Sequence, residues 1–127
     1  MGQGNYDHPS YITRQQINLG NTTAGNGTVG IRFSPLSNLR VRNVSATVMT
    51  AGTSAGHILT IKNGTTSVGS ITLSTNTAGF VGTSGDLNTT VTAGTVLSVT
   101  NGTDATGVAS VAAEAYLDPQ ATWTGQE

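Results

Sequence analysis

A chain of 127 residues without cysteine fits one domain that folds without disulfides and offers no thiolate to a metal. Only 9% of the residues are charged and the net charge is −1, where an ordinary domain is about 25% charged. Arg14, Arg32, Arg40, Arg42 and Lys62 form no long basic run, which argues against nucleic acid binding by phosphate neutralisation, and no apolar stretch approaches the ~20 residues of a membrane span.

Residues 1–10 are polar and contain Tyr6 and His8. They lack the apolar run of a secretory signal and are expected to form an N-terminal arm. The folded domain is expected over residues 11–118, with 119–127 as a C-terminal tail carrying the only tryptophan, Trp123. No window repeats apolar residues at helical spacing, whereas short alternating runs bounded by Gly and Asn recur throughout. Tyr11 to Leu19 reads as the first strand. Val29 to Phe33 follows, with Ile31 and Phe33 on one face. Leu39 to Val48 shows Leu39 and Val41, then Val44, Ala46 and Val48, and the change of phase near Arg42 and Asn43 predicts a β-bulge. Leu59 and Ile61, Ile71 and Leu73, and Leu97 and Val99 form further same-face pairs. The last strand alternates through Val111, Ala113, Ala115 and Leu117, with Glu114 and Tyr116 facing the other way.

Part of this pattern is repeated. Val48 to Thr53 recurs, one residue shorter, as Val91 to Thr95, and each copy contains Thr-Ala-Gly-Thr. Leu59-Thr-Ile-Lys-Asn-Gly-Thr65 recurs as Leu97-Ser-Val-Thr-Asn-Gly-Thr103, and Gly69 matches Gly107 in offset. Each copy reads strand, turn, strand, Asn-Gly turn, strand, because Asn and Gly tolerate the positive φ of hairpin turns. The loop after Asn63 is expected to be wider than two residues. Two such units predict an all-β fold: a two-sheet antiparallel sandwich of jelly-roll or Greek-key type with extended arms.

Catalytic and metal-binding patterns are weak. Gly52-Thr-Ser-Ala-Gly56 matches the nucleophile-elbow spacing, yet no helix follows and no histidine lies beyond the adjacent His57. Gly25-Asn-Gly-Thr-Val-Gly30 runs into Ile31-Arg-Phe-Ser-Pro35, an extended segment that offers a pyrophosphate no helix N-terminus. Six Asn-x-Ser/Thr sequons, at Asn21, Asn26, Asn43, Asn63, Asn88 and Asn101, reflect turn and strand composition. His8 and His57 lie in different regions. Asp86 and Asp104 each stand as the one carboxylate of their loop, too few for calcium, and read as turn residues. No pair of carboxylates suggests a glycosidase. The residues therefore point to no enzyme and no cofactor.

The Thr-Ala-Gly-Thr turns, the segment Val96-Leu-Ser-Val-Thr-Asn-Gly-Thr-Asp-Ala-Thr-Gly107 and the closing strand Ala109 to Leu117 resemble small structural proteins of tailed bacteriophages. Among these the chain looks most like capsid decoration, or cement, proteins with a jelly-roll fold, over about Leu39 to Leu117. The resemblance implies a non-enzymatic virion protein on the outer capsid surface that stabilises the phage head. It further implies a homotrimer partnered by the major capsid protein, with no nucleic acid or membrane as ligand. The bulky side chains on or near the arms, Tyr6, Tyr11, Arg14 and Trp123, are the expected partner contacts. The alternative is a tail, fibre or lectin-like module that binds a receptor or glycan through Trp123, Tyr116, Asp104 and Asn101.

Overall fold

The computed structural model describes residues 14–104 and 106–118. Nine strands follow in order: β1 (Gln15–Asn21), β2 (Val29–Phe33), β3 (Leu39–Thr50), β4 (Ile58–Asn63), β5 (Thr66–Thr72), β6 (Val81–Thr83), β7 (Thr89–Val91), β8 (Leu97–Asn101) and β9 (Val108–Leu117). They form two antiparallel sheets. One runs β1-β9-β3-β6, with β7 also on β3, and the other runs β2-β8-β4-β5. No described residue lies in a helix, so none crosses a membrane as one.

The core is aliphatic. Strand β3 supplies Leu39, Val41, Val44, Ala46 and Val48, and β9 supplies Ala109, Val111, Ala113 and Ala115. The second sheet contributes Ile31, Leu59, Ile61, Ile71, Leu97 and Val99. Small alanines on one sheet leave room for the larger branched side chains of the other, which keeps the layers close-packed. Among the described residues no Phe, Tyr or Trp is fully buried, and Phe33 packs against the core partly buried.

The expected bulge is present: the β3–β9 register shifts between Val41 and Asn43. It also divides the sheet edge. On one side of it Ser45 to Thr47 pair with β6, and on the other Leu39 to Val41 pair with β7. The segment between detours around the bulge, with the amides of Ser84 and Leu87 donating to the carbonyls of Val44 and Arg42. Alternation could not reveal β6, since three residues in a Gly-, Ser- and Thr-rich stretch carry no period.

Three expectations need correction. The first strand extends past Leu19 to Asn21, because its end continues to pair with Ser110 and Val111 of β9. Leu117 continues the alternation in sequence but not in burial: it is 65% exposed, at the end of the sandwich where the opposite sheet no longer covers it. The turn after Asn63 is the tightest kind. Asn63 pairs with Thr66, leaving Gly64 and Thr65 as the loop, and Gly64 has φ +65°. The extra length is absorbed inside the hairpin, where the register shifts between Ile61 and Lys62.

Candidate functional site

The loop between β3 and β4 and the loop between β8 and β9 meet at one end of the sandwich, around Asp104. This carboxylate is nearly fully buried and accepts six hydrogen bonds. Oδ2 takes the amides of Thr53 and Ser54, both at 2.7 Å, and the Ser54 hydroxyl at 3.1 Å. Oδ1 takes the amide and hydroxyl of Thr106, at 2.8 and 2.9 Å, and the Gly107 amide at 3.0 Å. The Thr106 amide above all, with those of Gly107 and Ser54, outweighs burial and holds the carboxyl well below the usual carboxylate range. A buried charge survives in this way when every lone pair has a donor.

His57 closes the same junction. Its ring is fully buried against the backbone of Gly107, where any side chain would overlap it. Neither ring nitrogen has a hydrogen-bond partner among the described residues. Burial pushes its pKa below the ordinary imidazole value, against the nearby Asp104 charge, so the ring is neutral.

Ser54, His57 and Asp104 are thus brought together, a convergence that sequence order did not reveal. They are not wired as a hydrolytic triad. The Ser54 hydroxyl donates to the carboxylate and accepts the Gly56 amide at 3.1 Å, so the imidazole does not activate it. The arrangement fastens two loops to each other.

Of the expected partner contacts, Tyr6, Tyr11 and Trp123 lie outside the described residues. Arg14 lies just before β1 and donates to Glu114 across the sheet at 3.4 Å. This exposed pair flanks an open polar groove of about 410 Å³ on the outer face of the β1-β9-β3-β6 sheet, with Gln16, Asn43, Ser45 and Thr83 along its walls. Ala112, flanked by Asn18 and Ser45, forms part of its floor because it is the shortest side chain in that row. On the same face Asp86 holds Arg42 through two bonds, at 3.0 and 2.9 Å, and Asp118 holds Arg40 at 3.0 Å.

The end opposite Asp104 exposes three aliphatic side chains. The loops before β3 and before β8 and the end of β9 are tied around Asn38. Its side chain accepts the Ala93 amide and its carbonyl the Asp118 amide, while Gly94 donates to Pro35. These segments carry Leu36, Val96 and Leu117, exposed by 97%, 38% and 65%, while Met49, Phe80 and Val81 are exposed near the other end of β3. Among the described residues no group of three or more His, Cys, Asp or Glu side chains is placed to hold a metal ion. No family model, no curated protein and no solved structure matches this chain.

Proposed function

We propose that this chain is a non-enzymatic structural virion protein that binds the outer surface of a phage capsid and stabilises the head. The carrying observation is the apolar end formed by Leu36, Val96 and Leu117. Aliphatic side chains exposed together at one end of a domain, here on two loops and the last residue of β9, suit a contact with another protein. We read the strand orders β1-β9-β3-β6 and β2-β8-β4-β5 as the jelly-roll arrangement and the apolar end as a contact between copies in a homotrimer. The N-terminal arm with Tyr6, together with Tyr11, Arg14 and Trp123 on or near the arms, then contacts the major capsid protein. Weak contacts repeated three times hold by avidity.

The test is the mass of the purified protein by light scattering, followed by co-sedimentation with capsids that lack it. A trimer that pellets with capsids is expected, Leu36→Asp should give monomers, and deleting residues 1–10 should abolish pelleting while leaving the fold. A monomer that ignores capsids overturns the reading. A second reading, a glycan- or receptor-binding module, is favoured by the amide, hydroxyl and carboxylate lining of the Arg14–Glu114 groove. A glycan array with wild type and Glu114→Gln separates the two.

A further inference from the structure

The outer face of the β2-β8-β4-β5 sheet differs in charge from that of its partner sheet. Register places Arg32 and Lys62 on either side of Ser98, and Ser67 beyond Lys62, so one row across the sheet reads Arg32, Ser98, Lys62, Ser67. The row beside it reads Val29, Thr100, Thr60, Ser70. The buried Ile31, Leu97, Val99, Ile61 and Leu59 alternate with these residues, so both rows point outward. Neither Arg32 nor Lys62 makes an ion pair or a side-chain hydrogen bond among the described residues. The described carboxylates lie elsewhere. Asp86, Glu114 and Asp118 are held by Arg42, Arg14 and Arg40, and Asp104 is buried.

We propose that this face docks on a protein surface bearing two carboxylates, one for Arg32 and one for Lys62, with the intervening hydroxyls completing the hydrogen bonds. Charge complementarity selects the partner. The two cations stand two strand spacings apart, about 10 Å, each free to meet one acidic side chain. Arg presents a planar fork to a carboxylate, and Ser and Thr hydroxyls donate to its remaining lone pairs. Two cations release too few counterions to hold a nucleic acid duplex, and the two rows contain no aromatic side chain to stack on a base. A polybasic membrane contact uses four or more clustered cations. A second copy of this chain is a poor match, since its own described carboxylates are already engaged. Val96 of the apolar end lies two residues before Ser98 of this row, but the inference does not depend on the virion reading.

The experiment is a ¹H–¹⁵N NMR titration of the whole chain, at low salt, with a hexaglutamate peptide, a hexaglutamine peptide as neutral control, and a short DNA duplex. Shifts should be confined to β2, β8 and β4 around Arg32, Ser98 and Lys62, with hexaglutamate only. Arg32→Glu with Lys62→Glu should weaken binding about tenfold or more, since two exposed ion pairs become repulsions. The paired Gln substitutions should fall between, and the same spectra report whether each variant is folded. Shifts that are absent, lie elsewhere or survive the double reversal overturn the inference. Tighter binding of the duplex overturns the choice of a carboxylate partner.

Discussion

The tripeptide Asn-Gly-Thr occurs three times, and the two copies at equivalent places, after β4 and after β8, meet different fates. After β4, Asn63-Gly64-Thr65 turns the chain straight back into β5. After β8, Asn101-Gly102-Thr103 leaves the sheet and crosses to β9 in the other layer. The preceding strands are alike and pair with each other. Leu59 faces Asn101, Asn63 faces Leu97, and Ile61 faces Val99, so the two copies are related by a local two-fold axis. What separates them is the next residue. Thr66 continues a strand, while Asp104 gathers the amides of Thr53, Ser54, Thr106 and Gly107. The asparagines follow suit: the Asn63 amide donates to Thr89 and Thr90, the Asn101 amide to the carbonyls of Thr23 and Gly25. Asn-Gly permits a hairpin, but the partners of the following residue decide whether one forms.

The largest expected effect is at the residue that makes the copies differ. Asp104→Ala leaves four amides, that of Gly107 buried and those of Thr53, Ser54 and Thr106 part-buried, without their acceptor and should lower the urea midpoint more than an alanine at either turn glycine or the loss of His57. Asp104→Asn, which keeps one acceptor oxygen, should fall between wild type and Asp104→Ala. A wild-type midpoint for Asp104→Ala would show that the crossover is held by something else.

The two glycines sharpen the comparison. At Gly64 an added Cβ would meet, among the described residues, Thr95 Cγ2 at an ordinary 3.6 Å, so Gly64→Ala should cost only the strain of a positive φ, about 1 kcal/mol. At Gly102 an added Cβ would lie 2.5 Å from the Gly56 carbonyl oxygen and 3.0 Å from that of Ile58. Gly102→Ala should therefore cost more, about 1–3 kcal/mol, as backbone is forced apart. Chemical denaturation of both variants measures the difference, and equal losses would mean that both glycines serve only as turns.

The smallest effect at neutral pH is at His57. Its pKa is lowered in the folded protein, so the unfolded chain binds the proton more readily and stability rises with pH. This contribution is complete above the ordinary imidazole value of about 6.5 and is lost as pH falls from there through the folded value. Asp104 acts in the same direction at lower pH: its stabilisation is present above the ordinary value of 3.8 and is lost as pH falls below it. His57→Leu should flatten the melting temperature between pH 7 and 5 without altering the acid limb below pH 4. An unchanged slope would show that His57 does not titrate in this window.

Alternation alone determined the all-β class, most of the core and the bulge beside Arg42, because a half-buried strand must place every second side chain in the apolar layer. The repeat Leu59–Thr65 and Leu97–Thr103 was equally legible, but the Asn-Gly hairpin turn expected of both copies forms only at Gly64; Gly102 is not at positive φ and leads into the crossover. Tertiary structure decided everything that depends on residues far apart in the chain. Ser54, His57 and Asp104 meet because two loops converge at one end of the sandwich. The three arginines of one face find acids on other strands or loops, while Arg32 and Lys62, in no way distinguished in sequence, are left facing outward in one row without partners among the described residues. Leu117 keeps the period of β9 yet lies in the open, because burial depends on what covers a strand as well as on its phase. A local pattern records which way a side chain points; what it meets there is fixed by long-range pairing, which no short window contains.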